Sequence, residues 1–495
     1  MQSLLLSIYT FLASRLFFRI IFVGLVLSAI WIALTGQYPM AFDEDFHLGL
    51  IRIYASHSLP FWSSQPANAD AYGAVARDPS YLYHFLMSFP YRLICLFTND
   101  QTIQVIILRF LNIAMFSSCL PLFKRLLERA GASSALANSS LAVFVLIPIT
   151  PQLAAQINYD NMLLPIVALI LYLTLSISLQ PVAIRPKTLL YILALGITGS
   201  LIKFAFLPIF LAILLWLLLS SHKLWKARTV WTRRFLALAK TKSGLALLGL
   251  VLILSVLGFE RYGINVIRYH DPIPECGYVL TLDHCKNYGP YIRDYNFAAA
   301  KSNYHTTPYD FSKEWIYGMW LRSFFAVDGP KSLYETRGPF IIPADAALAL
   351  FGIGILALLL RGRNIWRRHP ASVSLFALVT LVYVAALWLQ EYKAYRHTGF
   401  PVAINGRYLL PVILLAIFLM TIAISELLGR RSLKTGLVVV SLAALLCGGG
   451  ALTYILRSAD YWYWPNPTTH SANHLVKRVI GPVLPGYDTP TAFLP

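Results

Sequence analysis

Charge is scarce in this sequence. Asp, Glu, Lys and Arg make up 13% of its 495 residues, about half the share found in an ordinary soluble domain. Acids are the scarcer sign, 22 against 41 Lys and Arg. Apolar residues fill the gap: 57% of the chain is hydrophobic, mean hydropathy is +0.62, and many of the long apolar runs contain no charge. Those runs exclude a water-soluble enzyme and a disordered chain, and five cysteines are too few for a disulfide scaffold. The chain carries no Walker or kinase-like phosphate loop, no internal repeat and no inverted pair of broken helices. At the N-terminus, neither a leading basic region nor a small-residue cleavage site marks a cleaved signal. Met1–Ser14 reads as an amphipathic segment on the inner leaflet.

The apolar runs predict an all-α polytopic membrane protein with about eleven transmembrane helices. The spans are Ile20–Leu34, Ile103–Leu122, Ser134–Ile149, Met162–Leu179, Leu189–Leu201, Phe204–Leu219, Gly244–Phe259, Phe340–Leu360, Ala371–Gln390, Tyr408–Leu428 and Gly436–Leu456. Several are shorter than the roughly 20 residues a span needs and must extend or tilt. Around Lys203 one kinked segment could replace two. With a cytoplasmic N-terminus, 21 Lys and Arg fall on one side against only Glu128 and Glu426. That excess marks the cytoplasmic face. The net charge of +19 therefore reports topology in a plasma (inner) membrane, and nucleic acid is not expected as a partner.

Three polar regions then lie outside: 35–101, 260–339 and the tail from Arg457. The chain divides into 1–258, an N-terminal transmembrane module with the first outer loop, 259–339, an outer-face cap, 340–456, further membrane helices, and 457–495, an outer-face tail. In the first loop, Asp43–His57 and Pro79–Leu96 read as helices lying along the membrane surface. The cap is rich in Tyr and Trp, suiting a folded interfacial element or an aromatic belt that only anchors. Cys276 and Cys285, nine residues apart on the oxidising side, are expected to form a disulfide, a metal pair being the alternative. Cys95, Cys119 and Cys447 read as packing residues.

Chemistry concentrates in a few polar places. Asp43-Glu44-Asp45-Phe46-His47 puts three adjacent carboxylates close to the bilayer, where they repel one another and lose solvation. Such a cluster meets a cation or does acid–base work; the alternative is a helix N-terminus whose acids suit the dipole. On a helix starting at Asp43, the side chains of Asp43, Glu44 and His47 fall on one face. Asn158-Tyr159-Asp160-Asn161 lies on the same side, with Asp160 either there for chemistry or an N-cap for the next span. Lys203, Arg407 and Arg109 are cations in or beside apolar runs, which are costly unless partnered. Lys203 and Arg407 suit a lipid phosphate, with snorkelling to headgroups as the alternative.

The pattern Phe42-Asp43-Glu44-x-x-His47, just past the first span and followed by a surface helix, resembles the Asp-Glu signature of the C superfamily (GT-C) of membrane glycosyltransferases. Its nearest members are the dolichyl-phosphate-mannose protein mannosyltransferases and the lipid A aminoarabinose transferases. Asn158-Tyr159-Asp160-Asn161, the Lys203 step and Asn405-Gly406-Arg407-Tyr408-Leu409-Leu410-Pro411 are similar to a related, uncharacterised bacterial multi-pass family. The resemblance covers the spans up to Leu219 best, and beyond them only the stretch to Arg407. It implies a polyprenyl-phosphate sugar donor and a glycan, lipid or protein acceptor. It makes Asp43 the catalytic base, with Glu44 and Asp160 orienting acceptor or sugar and Lys203 and Arg407 holding the donor phosphate. Asp45, His47, Asn158 and Tyr408 complete the expected substrate-binding set. Asp45 departs from the pattern by offering a divalent metal a second carboxylate beside Asp43, whereas the nearest relatives need no metal. No Trp-Trp-Asp-Tyr-Gly motif is present, which argues against block transfer to Asn.

A multi-pass transporter or lipid flippase is the competing expectation; it would place charge near the midplane of several spans, whereas here charge gathers at one face. A purely structural assembly role leaves the Asp43 cluster without a purpose. The topology has a direct check: a C-terminal reporter active only in the cytoplasm should give no signal, and a signal would overturn the assignment of sides.

Overall fold

The computed structural model describes residues 2–40, 42–179, 186–220, 228–300, 307–324, 341–458 and 460–484. The described chain is helical throughout; its one β contact is an isolated bridge between Gly36 and Tyr463. Eight helices are long and apolar enough to cross a membrane: Arg15–Thr35, Gln101–Arg129, Asp160–Ile177, Lys242–Tyr269, Ile342–Arg368, Pro370–Thr398, Gly406–Leu428 and Arg431–Leu456. Each coincides with an expected span. The other three expected spans fall on the shorter apolar helices Ser134–Leu146, Pro186–Ile202 and Phe204–Ser220. Leu252, Leu356, Leu359, Leu381 and Val440 point outward from the long helices. In water such a surface would be a liability, and against lipid it is the natural exterior.

Local chemistry explains where the helices start. Ser14 breaks Gln2–Ala13 from Arg15–Thr35, its Oγ accepting the Phe17 N–H at 3.1 Å. Asp100 opens Gln101–Ser117 by accepting the Thr102 and Ile103 N–H groups at 2.7 and 3.3 Å. Both are side-chain N-caps for otherwise orphan donors. Around Lys203 the backbone is extended (φ −151°) and two helices meet. The rings of Phe210 and Phe206 lie against Gly196 and Gly199, so the chain folds back on itself as two helices.

The three polar regions come together at one end. The first loop contributes Glu44–Ala55 and Leu82–Cys95, close to the predicted surface helices. The cap meets it through His284 Nδ1 and Asp70 Oδ2 (2.6 Å) and through the rings of Tyr288 and Phe46 (centroids 6.3 Å). Arg261, at a π turn in the span leading to the cap, donates to the carbonyls of Pro60 and Ala76. Cys276 and Cys285 form a disulfide with Cα atoms 5.8 Å apart, inside the distance a bridge requires. From the tail, the Trp464 N–H donates to Thr35 O at 3.1 Å, and the Gln37 N–H donates to Trp462 O at 2.7 Å. The basic clusters around Arg15, Arg129 and Arg430 lie at the far ends of the helices that begin or end here.

One buried ion pair fastens this end. Glu44 and Arg109 are fully buried. Arg109 Nε and Nη2 meet the two Glu44 oxygens at 2.8 and 2.7 Å, a bidentate fork. Arg109 Nη1 donates to the carbonyls of Ala33 and Gly36, at the end of the first span. Glu44 also accepts the N–H groups of Met40 (2.8 Å) and Ile157 (3.3 Å). Removing one partner of a buried pair leaves an uncompensated charge and costs about 3–5 kcal/mol. Arg109→Ala should therefore lower thermal stability in detergent by that order. An unchanged melting temperature would show that the pair does not hold the loop.

Candidate functional site

The site is built where the chain leaves the first span. Phe42 and Asp43 both adopt left-handed backbone conformations, φ 69° and 66°. For residues with a side chain this costs roughly 1–2 kcal/mol each, less for Asp, and persists only where the surroundings enforce it. The enforcement is visible. Phe42 O accepts from Asn158 Nδ2 at 3.0 Å and from Arg407 Nη1 at 2.6 Å, and the Arg407 guanidinium lies 5.4 Å from the Phe42 ring centre.

This twist corrects the single-face expectation. Asp43 precedes the helix Glu44–Ala55, so its side chain does not follow the helical period. Asp43 and Asp45 are exposed, whereas Glu44 and His47 are buried. Glu44, expected to orient acceptor or sugar, already receives four donors inside the protein. Its geometry is that of a positioning residue. Among the described residues, no three His, Cys, Asp or Glu side chains group as metal ligands.

Two ion pairs follow. Arg407 Nη2 meets Asp43 Oδ2 at 2.5 Å, and Lys203 Nζ meets Asp160 Oδ1 at 2.7 Å. Lys203, Asp160 and Arg407 are buried, and the Asp43 side chain is 61% exposed. Between the cations stands Tyr408, with Lys203 Nζ and Arg407 Cζ each 5.1 Å from its ring centre. Tyr159 takes Lys203 on its own face at 4.6 Å. The two aromatic faces and the two carboxylates offset the repulsion between neighbouring buried cations. Both cations are thus bound within the protein, and snorkelling does not describe either. Arg407 Nε and Asp160 Oδ2 are buried with no hydrogen-bond partner in the structure.

Sequence position explains how each group arrives. Lys203 occupies the break between two helices, where its extended backbone aims the side chain inward. Asn158 Oδ1 accepts the Asp160 N–H at 3.0 Å, so Asn158 takes the capping role and Asp160 is left to meet Lys203. Arg407 lies in a single turn ahead of Leu410–Leu428, entered through Gly406. A Cβ at Gly406 would run into Ser323 Oγ and stand 2.7 Å from Met319 O, so only glycine lets Pro308–Phe324 pack there. Tyr383 donates to Tyr408 O at 2.7 Å and fixes the turn.

Two participants, Asn112 and His84, escape a sequence reading, and Tyr159 is visible only as part of its motif. Asn112 Oδ1 collects Tyr83 OH, Asn161 Nδ2 and the Asn158 N–H at 2.9, 3.1 and 3.3 Å. Tyr159 also stands edge-on to His47, ring centres 4.5 Å apart. His84 lies 2.9 Å from His47, Nε2 to Nδ1. Helical spacing on Leu82–Cys95 places His84 on the inner face, but nothing in the sequence indicates that His47 is its partner.

The tautomers of the histidine pair follow from its contacts. His84 Nδ1 faces the Ser80 carbonyl at 3.2 Å and must donate, so a neutral His84 accepts on Nε2. His47 Nδ1 is then the donor, and His47 Nε2 carries a lone pair. That nitrogen is buried with no hydrogen-bond partner in the structure. Burial first, and then His84, Arg407 and Lys203, hold the His47 proton affinity well below its usual 6.5. Burial likewise takes His84 down to about 3, against an opposing contribution from Ser80.

Comparisons with family models, with curated proteins and with solved structures find no match to this chain.

The histidine pair has a pH signature. In the unfolded chain each imidazole takes up a proton near pH 6.5, and in the fold only far below it. The stability they contribute is complete above pH 6.5 and is lost as the pH falls, by about 2 kcal/mol at pH 5 for His84, with His47 acting in the same direction. Thermal unfolding in detergent should shift downward between pH 7.5 and 5.0, and by less in His84→Gln. Equal shifts in the two proteins would remove the pair as the cause.

Proposed function

We propose that this chain is a GT-C-like membrane glycosyltransferase that moves a sugar from a polyprenyl-phosphate donor to an acceptor at the extracytoplasmic face. In this reading the three shorter apolar helices complete about eleven spans, and the N-terminus is cytoplasmic. One observation carries the proposal. An exposed carboxylate, Asp43, two buried cations, Lys203 and Arg407, and a second carboxylate, Asp160, converge from four distant parts of the chain at one end of the helices.

Sugar transfer from a phosphate needs a base at the acceptor and positive charge at the leaving group. Asp43 takes the proton from the acceptor hydroxyl as its oxygen bonds to the anomeric carbon. The bond from that carbon to the phosphate oxygen breaks, and its electron pair stays on the phosphate between Arg407 and Lys203. The products are the glycosylated acceptor and the polyprenyl phosphate. In the unliganded arrangement Asp43 is paired to Arg407. A donor phosphate competes for that guanidinium and releases Asp43 to accept a proton, so donor binding prepares the base. Asp160 holds Lys203 in place, Tyr408 keeps the cations together, and Glu44 anchors the turn that presents Asp43. Asp45, the other exposed carboxylate, is where a divalent ion could join Asp43.

The test follows radiolabelled sugar from a polyprenyl-phosphate donor in proteoliposomes. Asp43→Asn should lower transfer at least about a hundredfold while donor binding persists, the loss expected of a missing general base. Lys203→Ala and Arg407→Ala should weaken donor binding as well as turnover, because they meet the phosphate in ground and transition states alike. Full turnover by Asp43→Asn would remove it from the mechanism. Movement of intact donor lipid across the bilayer without covalent transfer would favour a flippase.

A further inference from the structure

A large cavity lies away from this site. It is a groove of about 1230 Å³ with a mostly apolar lining, running along the helix Leu410–Leu428. Its wall includes Leu409 at one end of that helix, Ala416 midway and Leu428 at the other end. Nineteen residues at 1.5 Å each give about 28 Å, close to the hydrocarbon depth of a bilayer. In water an apolar groove of this size would be unstable; in a membrane it is filled by hydrocarbon.

The two mouths differ in charge. At the end beside Leu428 the lining includes Arg431, Lys434, His369 and Glu426. Glu426 is paired to Arg368 at 2.5 Å, which leaves the excess positive. Arg431 is exposed, with its guanidinium 5.8 Å from the centre of the Tyr9 ring, and Lys434 is half-buried. Arg430 is exposed beside them. At the other mouth the lining carries one cation, Lys313, which lies 4.1 Å from the centre of the Tyr309 ring and is followed by exposed Glu314.

From this complementarity we propose that the groove is a binding site for an anionic glycerophospholipid, its phosphate on Arg431 and Lys434 and its acyl chains along Leu410–Leu428. Arg431 offers a planar fork to the phosphate and Lys434 a point charge, and basic residues near a membrane surface attract anionic lipid. The headgroup lies a full helix length from Arg407, so the lipid is not the sugar donor of the preceding section. The proposal stands whether or not that reading does.

Native mass spectrometry of the delipidated full-length protein supplies the test, with phosphatidylglycerol or phosphatidylcholine of equal chain length added back. One phosphatidylglycerol should be retained at least about tenfold more strongly than phosphatidylcholine. The double variant Arg431→Ala/Lys434→Ala should lower its retention to the phosphatidylcholine level, while Arg361→Ala/Arg363→Ala, exposed and outside the groove lining, should leave it unchanged. Ala416→Trp, which fills the groove and keeps its charges, should also expel the lipid. If that variant does not fold, the double alanine variant, on exposed and half-exposed side chains, decides alone. Equal retention of both lipids, equal losses in the two basic variants, or replacement of the phospholipid by equimolar polyprenyl phosphate would overturn the assignment.

Discussion

The bond between Glu44 and Arg109 is the contact on which the site end depends. A carboxylate and a guanidinium removed from water are tolerable only when nearly every donor and acceptor is used. Here they are: the carboxylate takes two arms of the fork and two backbone N–H groups, and the third arm of the fork takes two carbonyls at the end of the first span. One interaction thereby fixes where the first span stops, where Glu44–Ala55 starts and where the chain around Ile157 passes. The left-handed turn at Phe42 and Asp43 lies inside that frame. Asp43 projects outward because Glu44, beside it, is anchored inward.

The remaining charges follow a rule of reciprocity. Each cation at the site has a carboxylate, and the cations share an aromatic ring: Asp160 with Lys203, Asp43 with Arg407, Tyr408 between. The two pairs differ in how replaceable they are. Asp160 is buried against Lys203, whereas Asp43 meets Arg407 from the exposed side. In the proposed reaction a donor phosphate would meet one pair closed and one open, which gives the site a direction of entry.

Much of the architecture was legible in the sequence because membrane helices announce themselves by composition. All eight long helices sit where apolar runs predicted them. The three shorter ones were harder, because an apolar run does not reveal where polar demands will end the helix, as Lys203 does between Ile202 and Phe204. At the site, the residue types were visible and several of their partners were not. An acidic triplet looks the same whether its members point inward or outward, and only the φ angles at Phe42 and Asp43 separate Glu44 from Asp43. Arg109 stood out as a cation in an apolar run, yet nothing local identified a partner 65 positions earlier. His84 and Asn112 carry no signal of their own, since their importance lies wholly in which atoms surround them.

The bridge between Gly36 and Tyr463 and the pair Asp43–Arg407 have a consequence for the order of synthesis. The acidic turn is made 364 residues before its guanidinium partner. At roughly 5–20 residues per second, that interval lasts from about twenty seconds to more than a minute. Through it the first loop has Arg109 to hold Glu44 but lacks the cation that pairs with Asp43 and the tail that pairs with the exit of the first span. The nascent chain can therefore build its scaffold early, but the charged centre closes only once Arg407 has been made and placed.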